Sequence, residues 1–396
     1  MKKGIVGYGS FLVLIWIYFG VFYDLETYYD SRYAAYRHAY YFTQTTFTWL
    51  VLWALIQSSF HHTYTQMLDR KFGKEWARSL VYGASLTLGY QLISLPLDVL
   101  GYGMAQWAEV NHQPVVDWIG EWGVQSLFFV LMISGLIMVA RICMMKFRRY
   151  WWIAIWMIAL PISLFILYIQ PVWIDPIFEN FQPLRNTAIK DEIVDIAGEA
   201  GISESNIYEV NMSEKTSTFN AYVTGLGPQK RIVIWDTTLE NMQEDEVLFI
   251  LAHEIAHYVK NHVYWGVLGS LLFSLVLLKG LAIIFPYVFN RFKRQWNLRT
   301  ITDLKTIPLL LLTTSILLFA TEPMYLWVSR QMEITADQYA IEHTDSLDPA
   351  IEGYRSLAIE SKSDVNPSAF VKWFRYTHPP IQERIDMMKE AQKERQ

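Results

Sequence analysis

The 396-residue sequence has a single cysteine and few charged residues. One cysteine, Cys143, excludes an internal disulfide and a cluster of thiolate zinc ligands. Only 18% of the residues are charged, against roughly 25% in an average soluble domain, and 53% are hydrophobic. The net charge is −5 and no basic run occurs, which argues against nucleic acid as a partner. The low charge instead indicates a protein that lies in membrane lipid.

Long apolar runs account for the hydrophobic composition. A helix needs about 20 apolar residues to cross the hydrocarbon core. Seven stretches are long enough, at residues 5–23, 43–60, 80–104, 122–140, 150–173, 263–290 and 306–328. The second stretch is the shortest of the seven and is polar at both ends. The sequence therefore predicts a multi-pass protein with about seven transmembrane helices.

Two segments outside these runs have the composition of a domain in water. Residues 174–262 carry mixed charge with helix and strand signals, and residues 329–396 are polar. The two membrane runs between them would return the chain to the same side, so one site can use both segments. We therefore predict a mainly α protein with five transmembrane helices in 1–173 and two in 263–328. The first and second parts of a small α+β domain would be 174–262 and 329–396.

Strand signals are confined to the first polar segment. β-branched and aromatic residues predict strands at Ile207–Val210, Ala221–Thr224 and Arg231–Ile234. Turn signals follow at Gly225 and at Gly227–Pro228. The expected result is a small sheet that precedes the helix discussed below.

Basic residues mark the cytoplasmic ends of membrane helices. If the seven stretches all cross, fifteen basic residues flank one side: Lys2, Lys3, Arg70, Lys71, Lys74, Arg78, Arg141, Lys146, Arg148, Arg149, Arg291, Lys293, Arg294, Arg299 and Lys305. The short loops of the other side hold two, Arg32 and Arg37. This predicts a cytoplasmic N-terminus and places both polar segments on the non-cytoplasmic face. One span more or fewer would reverse the prediction for part of the chain.

Residues 253–257 read His-Glu-Ile-Ala-His. On a helix, positions i and i+4 share a face, so His253 and His257 can bind one ion. Zinc suits two imidazoles because it accepts tetrahedral nitrogen and oxygen ligands. Glu254 lies about 100° round the helix, where it can take a proton from a water that the metal activates. The motif predicts a metalloprotease, and the alternative is two ordinary histidines on a helix.

A second pair of residues supports the metal site. Glu333 and Asp337 are also at i and i+4 on a predicted helix. One carboxylate can be the third ligand and the other can accept a hydrogen bond from a ligand histidine. We expect Glu333 to be the ligand and Asp337 the hydrogen-bond acceptor, although the spacing alone permits the reverse. Two histidines and one carboxylate would hold one zinc per chain and leave a position for water.

A further donor is expected for the oxyanion of the reaction. His378, in the segment Thr377–Pro380, is a candidate, and the alternative is a turn residue before two prolines. Arg384 either assists the oxyanion or orients this loop.

Taken together, these motifs resemble the zinc-dependent CAAX prenyl protease family, the integral-membrane His-Glu-x-x-His metallopeptidases. The resemblance covers nearly the whole chain and includes His262, Ser329–Asp337, Thr377–Ile385, Gln170–Leu184 and Asn220–Leu239. It implies seven helices around a water-filled chamber with zinc at one end. It also implies that Glu333 is the third ligand and that Asn220 lies on an edge strand that pairs with extended substrate.

The expected function is an integral-membrane zinc endopeptidase. Its substrate would be a peptide or a membrane-associated protein, with or without a lipid group, and membrane lipid would be its surroundings. One alternative is a catalytically idle receptor or transporter with a structural zinc, which would have no need of Glu254. Another is a zinc hydrolase that acts on lipid, against which the segment around Asn220 argues.

Overall fold

The computed structural model describes residues 2–185, 189–225 and 230–396, and for residues 2 and 3 the backbone alone. The predicted turn at Gly227–Pro228 lies outside the described residues. The α-helices are α1 (Lys2–Ile17), α2 (Tyr33–Gln57), α3 (Ser59–Lys71), α4 (Glu75–Trp107), α5 (Val115–Lys146), α6 (Trp151–Ile169), α7 (Asp175–Phe178), α8 (Lys190–Glu199), α9 (Asp236–Asn241), α10 (Glu244–Val259), α11 (His262–Phe292), α12 (Ile307–Glu342), α13 (Asp348–Glu360), α14 (Ala369–Arg375) and α15 (Ile381–Arg395). The strands are β1 (Phe181–Pro183), β2 (Ile207–Val210), β3 (Ala221–Thr224) and β4 (Arg231–Trp235).

Six helical segments in the described part of the chain are long and apolar enough to cross a membrane. They are Gly4–Phe22, Glu75–Trp107, Val115–Lys146, Trp151–Phe178, His262–Phe292 and Leu304–Glu342. Each contains one of the seven predicted stretches or most of it. The remaining stretch, 43–60, overlaps α2, which mixes apolar residues with tyrosine, threonine, glutamine and histidine. The prediction of a mainly α protein with about seven spans is therefore confirmed, with six candidate spans and α2 as the one predicted stretch outside them.

The four strands form one sheet in the order β1-β2-β4-β3. β2 and β4 are parallel, whereas β1 and β3 pair antiparallel at the two edges. The three predicted strands are present at the predicted positions. β1 was not predicted because it is short and ends in Pro183, a residue that is tolerated at a sheet edge.

Helix α10 lies between two hydrophobic cores. Leu251 and Ile255 pack with the sheet and α8. On its other side, Phe249 packs with residues of α12, α13 and α15. Burial on both sides fixes the position of the helix that carries His253 and His257.

Helix α12 continues without interruption from the membrane segment into the polar region. It begins at Ile307 and ends at Glu342, so the predicted domain boundary at 328/329 falls inside one helix. Glu333 and Asp337 lie on the last third of this helix. The site is thus attached directly to a membrane helix, and the predicted division into domains stays a prediction.

Candidate metal centre

The local sequence explains why α10 begins where it does. Gln243 and Glu246 form a capping box, in which each side chain bonds to the backbone of the other residue. Glu244, Asp245 and Glu246 also place negative charge at the positive end of the helix dipole. From this start, His253 and His257 follow on one face, with ring centroids 5.0 Å apart.

Three donor atoms meet beside this face. The Nε2 atoms of His253 and His257 are 3.2 Å apart, and Glu333 Oε2 lies 3.2 Å from His253 Nε2. Glu333 Oε1 lies 3.5 Å from His257 Nε2. Ligands bound tetrahedrally at about 2.0–2.1 Å are separated from each other by about 3.3 Å. The spacing and the donor set therefore fit a zinc ion. Of the two carboxylates, Glu333 lies at the Nε2 atoms of the histidines, and Asp337 lies at Nδ1 of His253.

A buried carboxylate holds the other side of His253. Its Nδ1 lies 2.8 Å from Asp337 Oδ1, and the Asp337 side chain is fully buried. Arg384 donates to both oxygens of Asp337, and the Tyr354 hydroxyl donates to Oδ1 at 2.9 Å. A carboxylate at Nδ1 keeps the proton there, so the lone pair of Nε2 faces the metal position. Burial opposes protonation of His253, but Asp337 and Glu333 outweigh it and raise its pKa to about 9.

A neutral chain of hydrogen bonds holds the other side of His257. Its Nδ1 lies 3.0 Å from Nδ1 of His262, whose Nε2 lies 3.1 Å from Thr335 Oγ1. The Thr335 hydroxyl donates to the carbonyl of Met332 at 2.8 Å. One tautomer satisfies every contact: His257 donates to His262, and His262 donates to Thr335. His257 Nε2 is then also left with its lone pair towards the metal position.

A single left-handed residue makes this second arrangement possible. Asn261 has φ of 58° and lies between α10 and α11, so the chain turns sharply after Val259. Asparagine tolerates this conformation better than most residues that have a side chain. His262 becomes the first residue of α11 and its ring lies 4.9 Å from that of His257.

Glu254 lies on α10 beside the two histidines. It is partly exposed, and no hydrogen bond or ion pair joins it to another described residue. Burial raises the pKa of its carboxyl above the ordinary value, against the lowering effect of His253 and His257. A carboxylate that no other side chain binds is free to accept a proton and return it.

His378 reaches the same centre from the loop before α15. Its Nε2 lies 3.3 Å from Glu333 Oε2, and its Nδ1 lies 2.8 Å from the hydroxyl of Thr377. Burial lowers the pKa of His378, although Glu333 opposes this effect. A neutral ring that accepts from Thr377 at Nδ1 carries its proton on Nε2. That proton is a hydrogen-bond donor at the rim of the centre.

Arg384 is placed differently from His378. Its guanidinium is buried, contacts Asp337 and lies 4.2 Å from the ring centroid of Tyr354. These contacts place Arg384 behind His253, and its predicted role at the oxyanion or in orienting the Thr377–Pro380 loop stays a prediction.

Asn220 directly precedes edge strand β3. Its N–H donates to Thr238 Oγ1 at 2.8 Å, and its carbonyl accepts from the backbone of Trp235 at 3.0 Å. Hydrogen-bonded pairs alternate along antiparallel strands, so the backbone groups of Ala221 and Val223 point away from β4. Among the described residues no strand pairs with that side of β3. The open edge therefore belongs to Ala221 and Val223, with Asn220 at its start.

Sequence reasoning did not assign a role to His262 or Tyr354. His262 stands five residues after His257, one place too far for the same helix face, and only the turn at Asn261 brings it back. Tyr354 comes from α13, and no local signal connects it with Asp337. The regular i, i+4 spacing, by contrast, was sufficient to find His253 with His257 and Glu333 with Asp337.

Comparisons with known proteins agree with this geometry. Residues 183–392 match the model of peptidase family M48, and residues 18–180 match that of the CAAX prenyl protease N-terminal region with five membrane helices. An uncharacterised metalloprotease of Bacillus subtilis, YhfN, is 35% identical over 355 residues, which cover 90% of this chain and 83% of the relative. CAAX prenyl protease 1 of Saccharomyces cerevisiae is 27% identical, with coverage of 78% and 71%.

The fold has a counterpart among solved structures. The crystal structure of Ste24p from S. mikatae superposes with a TM-score of 0.73 and 22% sequence identity, over 97% of this chain and 96% of that one. At this identity the match concerns the fold alone. The family matches and the fold together lead to one conclusion: the chain belongs to peptidase family M48 and is an integral-membrane metalloprotease.

Proposed function

We propose that the metal is zinc, one ion per chain, and that the protein is an endopeptidase. The observation that carries this proposal is the spacing of 3.2–3.5 Å among donor atoms of His253, His257 and Glu333. These are the nitrogen and oxygen donors that catalytic zinc prefers, and three of them leave a fourth position free. The receptor or transporter with a structural zinc is not favoured, because Glu254 stands unpaired beside the donors.

The residues divide the chemistry as follows. Zinc, when bound, would act as a Lewis acid that polarises the peptide carbonyl and makes water acidic. Glu254 accepts a proton and returns it to the leaving amine. His378 donates from Nε2 to the developing oxyanion. Asp337 and Arg384 keep His253 in one tautomer, and His262 does the same for His257.

The substrate is an extended peptide or a membrane-associated protein. The free backbone groups of Ala221 and Val223 can add it to the sheet as a further strand, and Asn220 lies at the start of that edge. Main-chain pairing favours a peptide over a lipid ester. Relatives named CAAX prenyl protease 1 include the yeast protein, and a lipidated peptide is therefore a substrate class to test beside an unmodified one.

The catalytic region faces the non-cytoplasmic side in this proposal. α2 is counted as a seventh span, and the seven helices together would enclose the chamber. A cysteine substituted for the exposed Glu390 tests the orientation in a Cys143→Ser background. A membrane-impermeant thiol reagent added to intact cells should label it. Labelling only after permeabilisation would show that the catalytic region faces the cytoplasm.

Metal content and cleavage test the activity. Purified wild type and Glu254→Gln are each reconstituted with zinc and given quenched peptides, with and without a lipid group. We expect one zinc per chain in both, chelator-sensitive cleavage in wild type, and a loss of roughly 10²–10⁴-fold in Glu254→Gln. The exposed variant Glu390→Gln is the matched control and should cleave normally. Equal cleavage by Glu254→Gln and wild type would contradict the proposal.

A further inference from the structure

A cavity lies directly beside the metal centre. It has a volume of about 370 Å³ and is formed by the first turns of α2 and the chain from α13 to α15. His378 and Arg384 line it together with Arg37, Lys362, Asp364 and Arg375. His378 therefore has one ring nitrogen near Glu333 and also forms part of the cavity wall. A group in this cavity would be a neighbour of whatever occupies the centre.

The cavity has an excess of positive charge. Among the residues that the structure describes, no carboxylate oxygen lies within 4.0 Å of a side-chain nitrogen of Arg37, Lys362 or Arg375. Arg375 contacts Nδ1 of His38, and its guanidinium lies 5.2 Å from the ring centroid of Tyr41. Burial and the charge of Arg37 both lower the pKa of Arg375, to about 10. These cations repel one another, and an anion between them would relieve the repulsion.

The carboxylate in the cavity wall cannot supply that anion. Asp364 is buried, and its Oδ2 accepts from the Tyr23 hydroxyl at 2.7 Å and lies 3.1 Å from His38 Nε2. Its Oδ1 accepts from the backbone of Asn366 at 3.3 Å. His38 thus lies between Asp364 and Arg375, and the Arg375 side chain itself forms part of the cavity wall. A guanidinium in this position suits a planar carboxylate, to which it can donate two parallel hydrogen bonds.

Lys362 adds a conformational argument. It follows α13 with φ of 47°, in the left-handed region where glycine is the usual residue. Its backbone closes the helix end, since Lys362 and Ser363 both donate to carbonyls of α13. Glycine would avoid this backbone strain, so a lysine is the costlier choice here, and its side chain forms part of the cavity wall.

We propose that this cavity binds a carboxylate of the peptide substrate, held by Arg375 with Arg37 and Lys362 around it. The inference rests on the proposed function, because only a peptide in the metal centre brings such a group to the cavity. Two sources have the same chemistry: the C-terminal carboxylate and the side chain of Asp or Glu. The enzyme would then select where it cuts by the distance from a negative charge.

The test compares peptide pools that differ in charge alone. Three pools of quenched degenerate octapeptides have a free C-terminal carboxylate, a C-terminal amide, or an amide with one internal Glu. We expect wild type to show a kcat/KM about tenfold higher for the pool that carries the recognised carboxylate than for the neutral amide, as one charge-assisted hydrogen-bond pair would give. Preference for the first or the third pool distinguishes the two sources.

Variants assign the preference to the cavity. Arg375→Gln should bring the ratio close to one, Arg37→Gln should reduce it partly, and Arg375→Lys should retain some of it. The exposed Lys389→Gln, which removes a cation outside the cavity, should leave both the ratio and the basal rate unchanged. The ratio of two rates corrects for a general loss of activity in a variant. If Arg375→Gln folds poorly, Arg37→Gln still tests the cavity, because the Arg37 side chain is exposed. Equal rates for all pools in wild type, or a preference that survives in Arg375→Gln, would overturn the proposal.

Equilibrium binding separates this inference from the proposed function. The Glu254→Gln protein is titrated with the same pools, each carrying a fluorescent label, so that no cleavage is needed. A preference for the carboxylate pool without any cleavage in wild type would support the cavity and contradict the peptidase. Binding without preference would overturn the cavity proposal. Loss of bound phosphatidylglycerol in Arg375→Gln, with no preference among peptides, would also overturn it and assign the cavity to a lipid headgroup.

Discussion

The two histidines of the candidate centre differ in what lies behind them. His253 is backed by a carboxylate, Asp337, which is fully buried and receives hydrogen bonds from Arg384 and Tyr354. His257 is backed by a second imidazole, that of His262, whose own contact is the exposed Thr335. We call Asp337 with Arg384 and Tyr354 the first arm, and His262 with Thr335 the second arm. The first arm is charged and part of the core, and the second is neutral and near the surface.

The tautomer of a ligand histidine is therefore fixed in two chemically different ways. Each ligand histidine needs its proton on Nδ1 so that Nε2 can bind the metal. The carboxylate does this and also makes the ring more basic, but it needs Arg384 to compensate its buried charge. The imidazole does it without a buried charge and contributes little to folding. We therefore expect mutations in the first arm to affect both metal binding and stability, and those in the second to affect metal binding alone.

The largest effect is expected for Asp337→Ala. Removal of the carboxylate should weaken zinc affinity about 100-fold, the upper end for a residue that orients a metal ligand. It also leaves Arg384 buried without its partner, which should lower the free energy of unfolding by about 3–5 kcal/mol. Competition with a chelating dye gives the affinity, and thermal unfolding in detergent reports the stability.

The double variant Asp337→Ala/Arg384→Ala sharpens this result. With no isolated charge in the core, part of the lost stability should return, whereas zinc affinity should stay low. A double variant no more stable than Asp337→Ala would mean that the pair stabilises the fold by packing and not by charge compensation.

His262→Ala should have the next largest effect. Zinc affinity is expected to fall about tenfold, because His257 loses the acceptor that fixes its tautomer. The Tm should change little, since His262 is only partly buried. The exposed His343, which directly follows α12, gives a control, and His343→Ala should change neither quantity. Unchanged affinity in His262→Ala would show that the second arm has no role in metal binding.

Thr335→Val tests the end of the same chain. The hydroxyl that accepts from His262 is lost, and zinc affinity should fall about threefold, as expected for one hydrogen bond. In the His262→Ala background the same substitution should have no further effect, because the link to His257 is already broken. Additive losses in the double variant would place Thr335 outside the arm.

The smallest change is expected for Tyr354→Phe. Asp337 loses one donor but keeps Arg384 and His253, so zinc affinity should stay within about twofold. Stability should decrease by about 1 kcal/mol, the usual value for one buried hydrogen bond. A loss of affinity as large as that of Asp337→Ala would mean that Tyr354, and not Arg384, holds the carboxylate in place.

The comparison also shows what the sequence could and could not predict. Spacing within one helix found His253 with His257 and Glu333 with Asp337, because the helix repeat places those pairs on one face. The three strands followed from residue type, and six of the spans from hydropathy. These are local properties of the chain.

What the sequence left unpredicted depends on contacts between distant elements. His262 reaches His257 only through the left-handed turn at Asn261, and a single asparagine does not predict such a turn. Tyr354 reaches Asp337 only because α13 packs on α10 and α12. The positive cavity brings Arg37 of α2 near Arg375 of α14, which are separated by most of the chain. The continuity of α12 from Ile307 to Glu342 could not be predicted either, because the composition changes from apolar to polar within the helix.

The most direct test of the account is X-ray absorption at the zinc edge of the purified, zinc-reconstituted protein. We predict one zinc per chain with two imidazole nitrogens and at least one oxygen, without sulfur, at about 2.0–2.1 Å. Glu333→Ala should lose bound zinc, whereas Glu254→Gln should keep the wild-type spectrum. A spectrum with three imidazoles, which would bring in His262 or His378, would contradict the assignment of the ligands. Failure to retain stoichiometric zinc in wild type would do the same.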